Sequence, residues 1–342
     1  MQRSLRYAIA GYGWVAREYV DPALRSLTNG SLTAVCDPDT GAASAARARG
    51  LAAYSDVSSL LGSEDFDALY VATPNHTHRA IVERAARAGK HVLCEKPMAT
   101  TNEDASAMLA ACRTARVLYA TAYDQRYHPA HERLRDFVRE GRLGTVTAVR
   151  LVYACWLDRA WSSDNWRVDA RRSGGGALVD LVPHGLDLVC ALLDDEIEDA
   201  RALLQHRVQD YDVDDGAMVM LRLRSGVLAQ LHVAYNYPET LPRRRLEVVG
   251  TRGIVVAIDT MGQTPGGTLT FTDAAGGRSQ PLLYDGERSP FAGLAGAFTD
   301  AVLAGIRLDD ERETRERATM RVLSSLLAGT DATRTTKAAA WR

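Results

Sequence analysis

Three ionisable side chains stand in an otherwise apolar run. In "GGGALVDLVPHGLD", residues 174–187, Asp180, His184 and Asp187 occupy positions i, i+4 and i+7. In a helix that spacing puts them on one face, amid Leu178, Val179, Leu181, Val182, Leu186 and Leu188. Burying such groups without partners costs kilocalories. An imidazole titrates near neutral pH, so His184 is suited to take a hydroxyl proton as a general base. Asp180, one turn earlier, can orient a cation or a substrate hydroxyl. Asp187 reads as a structural hydrogen-bonder, with a substrate contact as its alternative. Pro183 need not break such a helix: if the first turn begins near Val179, its missing N–H falls among the groups that lack full helical partners.

A cation stands elsewhere, in "CEKPM" (94–98). Lys96 falls at the end of an apolar strand, where open parallel sheets place ligands, and a cation there stabilises a developing alkoxide. Pro97 restricts Lys96 to extended conformations. A third stretch, "GYGWVA" (11–16), follows the first strand and opens a helix. Gly11 permits the tight turn, Gly13 lets backbone approach a pyrophosphate, and Ala16 allows close helix–sheet packing. The N–H groups of Trp14, Val15 and Ala16 then lie at a helix N-terminus suited to phosphate. Asp37 ends the second strand, in "AVCDPD". A carboxylate there accepts hydrogen bonds from ribose hydroxyls and repels a 2′-phosphate. This favours NAD over NADP, the nearest cations, Arg47 and Arg49, being a helix away. For Trp14 three places stay open: against nicotinamide, at a substrate mouth, or in the core.

These residues need elements to hold them. From 6 to 120, short apolar runs ("YAIA", "LTAVC", "ALYVAT", "HVLC", "VLYAT") alternate with helix-like segments. That order predicts a doubly wound parallel sheet, and Gly89 in "ARAGK" marks a helix C-terminus. After about residue 123 the pattern changes. "TVTAVRLVYACWL" is β-rich, and two hairpins follow, about "RSG" and "GTRG", which predicts an antiparallel or mixed sheet. "PFAGLAGAFTDAVLAG" and "RERATMRVLSSLLAG" read as closing helices, and "ATRTTKAAAWR" has no clear core role. The fold class expected is α/β: a Rossmann domain over 1–123, then a substrate-binding and oligomerisation domain over 124–342 with an open, largely antiparallel sheet.

Composition bounds the partners. The 342 residues carry 41 Lys and Arg against 43 acids, a formal charge of −2, which gives no electrostatic case for nucleic acid or an anionic membrane. Five cysteines without a zinc or disulfide spacing suggest reduced thiols and a cytoplasmic setting. No secretory signal and no membrane-spanning run is read, and no His/Cys cluster argues for a metal. His91, His128, His131, His206 and His232 read as non-catalytic. Trp156, Trp161 and Trp166, in "CWLDRAWSSDNW", suit a wall against sugar C–H faces or a packed loop, with Arg167 and Asp169 nearby. "LPRRRLE" (241–247) reads as a solvated edge, its alternative being a site for a phosphorylated or nucleotide-linked substrate.

Together, "GYGWVA", "VATPNHTH" (71–78), "CEKPM" and G-G-G-x(3)-D-x(3)-H resemble the glucose–fructose oxidoreductase / inositol dehydrogenase / rhizopine-catabolism (Gfo/Idh/MocA) family across essentially the whole chain. "NWRVDARRSGGG" and "RYHPA" are similar to its signatures too. The resemblance implies hydride transfer at a carbinol carbon of a sugar, cyclitol or related polyol. By motif position it implies catalytic roles for Lys96, Asp180 and His184. It implies cofactor contacts at Thr73, Pro74, Asn75, His78, Glu95, Lys96 and Gln125, and substrate contacts at Lys96, Arg126, Trp166, Arg167, Asp180 and His184. It also adds the expectation of a cis Lys96–Pro97 bond. Two departures stand out: Asp124 and Gln125 replace an Asn-containing stretch, and Pro183 replaces a commoner Gly.

The function expected is an NAD-dependent dehydrogenase or reductase acting on CH–OH groups of a small sugar or polyol, as a homodimer or homotetramer. The catalytic groups should converge across a cleft. Two other readings stay open, a redox-assisted glycoside hydrolase with held NAD and a non-catalytic NAD-binding sensor.

Overall fold

The computed structural model describes residues 3–63, 65–161 and 164–334. It divides into two compact units. The first takes the chain through Asp124 together with Ser289–Met320, and the second takes Gln125–Arg288 and the chain from Arg321.

The first unit is built on six strands, β1 (Leu5–Ala10), β2 (Gly30–Cys36), β3 (Ala52–Tyr54), β4 (Ala68–Val71), β5 (His91–Cys94) and β6 (Tyr119–Thr121). They form one sheet in the order β3-β2-β1-β4-β5-β6, every pair parallel. The order reverses between β1 and β4, and such a switch point opens a crevice at the strands' C-terminal ends. Helices α1 (Asp21–Ser26), α2 (Thr40–Ala48), α3 (Val57–Leu61), α4 (His78–Arg87) and α5 (Asn102–Thr114) connect the strands. Side chains start several of them: Asp39, Asp56 and Thr101 accept N–H bonds from Ala42, Ser59 and Asp104. Gly89, at φ 72°, follows the end of α4 as the sequence predicts.

Two features of this unit differ from expectation. β3 and α3 escaped the sequence reading, because three strand residues carry too little periodicity to register. The helix after the glycine loop is not uniform either. Ala16–Val20 is π-helical, and the Asp21 N–H bonds back to Ala16 O, five residues earlier. Pro22, in the first turn of α1, has no N–H to give to a regular ladder.

The second unit begins with α6 (Pro129–Arg139) and β7 (Val146–Ala154), followed by α7 (Ala170–Ser173) and α8 (Ala177–Leu193). Strands β8 (Ile197–Gln205), β9 (Gly216–Leu223), β10 (Leu228–Ala234), β11 (Arg244–Gly250), β12 (Gly253–Ile258), β13 (Thr268–Asp273) and β14 (Ser279–Pro281) complete a sheet. Its order is β14-β13-β12-β11-β7-β10-β9-β8, with β7–β10 parallel and all other pairs antiparallel. Both predicted hairpins are present; β8, β13 and β14 were not foreseen. α8 lies on β10, β7 and β9, and α6 packs on α8. Gly185 permits this close approach, since a Cβ there would sit 2.4 Å from Leu231 Cδ2. On the other face Leu203, Met218, Met220 and Leu228 are exposed.

The chain then returns to the first unit with α9 (Pro290–Leu303), which packs on α1 and β1. The last described helix, α10 (Asp310–Arg334), divides at Met320 between the units. Most of "ATRTTKAAAWR" lies outside the described residues.

The sequence reading of α8 needs two corrections. The stretch 170–193 is long and apolar enough by composition to cross a membrane, although the sequence reading found no such run; most of it is buried inside the unit, as in the core helix of a folded protein. The helix also starts at Ala177, not near Val179, so Pro183 lies in its interior. The cause is a distant cap. The Asp214 carboxylate accepts the N–H groups of Gly176 (2.8 Å) and Leu178 (2.7 Å), and its backbone carbonyl accepts that of Ala177 (3.0 Å). These bonds satisfy the first turn earlier than any local residue could. Pro183 then removes one helical donor, to Val179 O.

Candidate functional site

In the first unit the glycine loop sits where β1 ends. Gly11 has φ 86°, and a Cβ on it would lie 2.5 Å from Ala72 O, so no other residue fits. Its N–H bonds Cys36 O at 2.8 Å, tying the loop to the end of β2. A Cβ on Gly13 would meet nothing within 4 Å. That open side is what a pyrophosphate approaching the backbone requires. Val15 and Ala16 lead into the π-helical turn, and Ala16 is buried against the sheet. Trp14 is 40% exposed and meets Tyr19 edge-on, which excludes the core placement.

Asp37 is held by two backbone donors, Tyr12 N–H at 2.7 Å and Asp39 N–H at 2.9 Å. The cations near it in sequence have other partners. Arg49 Nε lies 2.9 Å from the fully buried Asp21, which also takes Arg25 Nε at 2.5 Å and the Tyr12 hydroxyl. Arg47 donates to Ala53 O at 3.3 Å.

The ends of β4 and β5 are joined from behind. His78 is fully buried, with Nδ1 3.2 Å from both Pro97 O and Met98 O and Nε2 2.9 Å from Thr73 O. Burial holds its pKa below the usual imidazole value. Its ring lies between the Thr73–Asn75 turn and the loop that carries Lys96, and in its neutral form it donates to the carbonyls on one side only. Thr77 donates to the Thr73 hydroxyl and Pro74 O, both at 2.7 Å, and Asn75 is buried. Glu95 accepts the buried Tyr70 hydroxyl at 2.7 Å, and burial beside that carboxylate pushes the Tyr70 phenol pKa well up. The Lys96–Pro97 bond is cis, as the resemblance predicts.

In the second unit α8 presents Asp180, His184 and Asp187. Asp180 accepts the Tyr235 hydroxyl at 2.6 Å. Tyr235 is buried, and burial together with the Asp180 charge holds its phenol well above its ordinary pKa, so it stays a donor. His184 is buried, and the Tyr153 ring meets it edge-on at 5.5 Å. Asp187 forms a two-pronged ion pair with Arg126, whose Nε lies 2.9 Å from Oδ2. Asp187 thus has the structural partner expected of it, and Arg126, expected at substrate, has a carboxylate of its own. Gln125 spends its amide on Gly262, donating to its carbonyl at 2.7 Å and accepting its N–H at 3.3 Å.

Arg167 lies over two rings, Trp166 at 4.6 Å and Trp161 at 5.3 Å, a cation–π stack that holds the guanidinium plane. The charge of Arg167 pulls the Tyr235 phenol downward, which puts it in the same neighbourhood as Asp180. Trp156 stands apart from that stack, in a bridge to Asn236. His128 and His131 are buried structural groups; His131 spans Gln125 O (2.7 Å) and the Thr260 hydroxyl (2.9 Å).

The N-terminal region, residues 5–123, matches the model of an oxidoreductase family with an NAD-binding Rossmann fold, and residues 131–256 match the Gfo/Idh/MocA C-terminal domain. The chain belongs to the Gfo/Idh/MocA oxidoreductase family. A 1,5-anhydro-D-fructose reductase of Ensifer adhaerens is 36% identical over 282 residues, covering 81% of this chain and 83% of that protein. A levoglucosan dehydrogenase of Pseudarthrobacter phenanthrenivorans is 30% identical over 244 residues, 63% of this chain and 61% of its own length. Among solved structures, an aldose–aldose oxidoreductase from Caulobacter crescentus superposes with a TM-score of 0.85 at 26% identity, covering 97% of this chain and 99% of that one.

Sequence reasoning about this Gfo/Idh/MocA oxidoreductase missed Tyr235, Tyr153, Tyr70 and Asp214. A buried tyrosine hydroxyl demands a partner, so the strand-end tyrosines in "HVAYNY" were a usable signal for a polar neighbour. Asp214 had none, because the two N–H groups that donate to its carboxylate lie 36 and 38 residues away.

Proposed function

We propose that this chain is an NAD-dependent oxidoreductase that moves a hydride between nicotinamide and a carbinol carbon of a sugar, cyclitol or related polyol. The observation that carries the reading is Asp180 held by the Tyr235 hydroxyl one helical turn before the buried His184. That is an oriented acid beside an imidazole, the equipment for moving a hydroxyl proton. Residues Gly11, Gly13, Trp14, Val15, Ala16, Asp37, Thr73, Pro74 and Asn75 would hold the dinucleotide, with His78 and Glu95 behind them. When bound, the nicotinamide takes or returns the hydride. His184 accepts the carbinol proton, Asp180 orients the reacting hydroxyl, and the Lys96 ammonium stabilises negative charge on its oxygen. Trp166 and Arg167 are the substrate contacts favoured by their stacked geometry.

NAD is favoured over NADP because Asp37 is fixed by backbone donors and Arg49 is committed to Asp21. The names of the relatives support the sugar class. All five cysteines are free thiols, which supports a reducing, cytoplasmic setting. The apolar side chains on the uncovered sheet face support a homodimer or homotetramer. The test is a panel of sugars and polyols offered with NAD and with NADP, read by NADH absorbance. Reduction of NAD at higher kcat/KM than NADP, by at least one carbinol substrate, is expected. Equal use of both cofactors would overturn the cofactor assignment, and no turnover with any substrate would overturn the reaction.

A further inference from the structure

The run "LPRRRLE" is divided by the structure. Arg243 pairs with Glu239 at 2.6 Å, and Arg245 with Glu247 at 2.6 Å. Arg244 stands between them in β11, so strand alternation turns it to the opposite face from Arg245. That is the face of Leu246 and Val248, both fully buried. Its Nε is buried without a hydrogen-bond partner, and among the described residues no carboxylate lies within ion-pair distance of its guanidinium. Arg244 is half-buried, and a partly desolvated cation without a counter-charge costs free energy. The solvated-edge reading therefore does not account for its buried Nε.

Its position ties it to the chemistry. Arg244 stands directly opposite Tyr153 in the antiparallel β11–β7 pair, and the Tyr153 ring is the one that meets His184 at 5.5 Å. The Cys155 thiol, pushed up to about 12 mainly by burial, is raised further by Asp180 and lowered by Arg244, so both charges reach the same atom. Room for the guanidinium depends on Gly262. A Cβ there would lie 2.5 Å from Arg244 Nη1, and its φ of 128° suits glycine. Gly262 is fixed in turn by the Gln125 amide.

We infer that Arg244 is a substrate-recognition residue, and that the substrate is a sugar or polyol bearing an anionic group, a carboxylate or a phosphate, which supplies the missing counter-charge. A guanidinium fork matches both anions with paired hydrogen bonds. The inference rests on the proposed function only in taking the ligand to be a sugar or polyol.

The test is calorimetry on the NAD-saturated full-length protein with D-glucose, D-glucuronate and D-glucose 6-phosphate, and with the matching galactose series. At least one anionic probe is expected to bind roughly 10- to 100-fold more tightly than its neutral parent, the range for a hydrogen-bonded charged group. Arg244→Met should erase that ratio. Arg244→Lys, which keeps charge but loses the fork, should retain part of it and serves as the variant of record if the methionine protein does not fold. The uronate and phosphate arms distinguish the two anion sources. The inference is overturned if no anion outbinds its neutral parent on the unmodified protein, or if Arg244→Met keeps the preference. If the anion preference vanishes in Arg244→Met while no substrate reduces NAD, the oxidoreductase reading falls and the Arg244 assignment stands.

Discussion

The glycine loop of the first unit and helix α8 of the second both hold polar groups in fixed places, but their supports come from different distances. At the loop, Tyr12 N–H reaches Asp37 at a separation of 25 residues, between the ends of adjacent strands. Along α8, Asp180 is held from 55 residues away by Tyr235, and Asp187 from 61 away by Arg126. A parallel sheet brings its strand ends together by rule, so a motif at one end implies its neighbours. A mixed sheet has no such rule, and the partners of α8 come from scattered connecting segments: Tyr235 just past β10, Arg126 in the turn before α6 and Asp214 in the loop before β9. The loop is therefore a local device that substitution should break cleanly. The helix is a distributed one, whose supports should each give a graded loss.

Lys96→Ala tests the first unit's side of that contrast and should show a larger effect than any loss among the supports of α8. Turnover should fall about 10²–10³-fold, since the variant removes charge stabilisation from a partly desolvated site. Steady-state kinetics on a substrate found in the panel would check it, and near-normal turnover would remove Lys96 from the reaction.

Tyr235→Phe should act on the second unit's side. Losing a hydrogen bond to a charged group should lower kcat roughly 10- to 100-fold, with KM and melting temperature nearly unchanged. A loss confined to stability would make Tyr235 a packing residue.

Asp214→Ala sharpens the comparison by separating support from chemistry. It leaves the N–H groups of Gly176 and Leu178 without their cap, and should cost about 3 kcal/mol of stability, measured by denaturant unfolding of this two-unit chain. Unchanged unfolding would mean the start of α8 has other support.

The smallest effect expected is a pH dependence in the first unit. Burial, helped by Arg307, lowers the His91 pKa from 6.5 to about 4. Below pH 6.5 the unfolded chain binds a proton that the folded chain refuses. Stability is thus fully present above 6.5 and falls as pH drops toward 4. After discounting for partial exposure the loss is about 2 kcal/mol. His91→Gln should flatten that slope, and an unchanged slope would remove His91 as its source.

What was legible in the sequence follows the same division. The parallel sheet, its glycine turn and Asp37 could be read because each has a local signature tied to a strand end. The two hairpins of the second sheet were readable from "RSG" and "GTRG"; β13 was missed although "TLTFTD" alternates between two Gly-Gly pairs, whereas β14, at three residues, is too short to show a period. Asp180 and His184 could be picked out by spacing on one helix. Tyr235, Asp214 and the Arg126–Asp187 pair could not, because their roles arise from contacts between distant segments. Pro183 was misplaced for the same reason: the cap that starts α8 early is Asp214, remote in sequence. Arg244 was hidden by its neighbours, since three consecutive arginines look alike until strand alternation turns the middle one inward.

The central claim is that binding the dinucleotide and moving the proton are carried by separate residues, the glycine loop and α8. The most direct measurement takes NAD affinity by calorimetry and turnover by NADH absorbance on the same preparations of Gly13→Val and His184→Ala. Gly13→Val should lose NAD binding, because its side chain fills the open space beside the loop. His184→Ala should keep NAD affinity nearly unchanged while turnover falls about 10²–10⁴-fold, the range for a lost general base. Normal NAD affinity in Gly13→Val, or near-normal turnover in His184→Ala, would contradict the account.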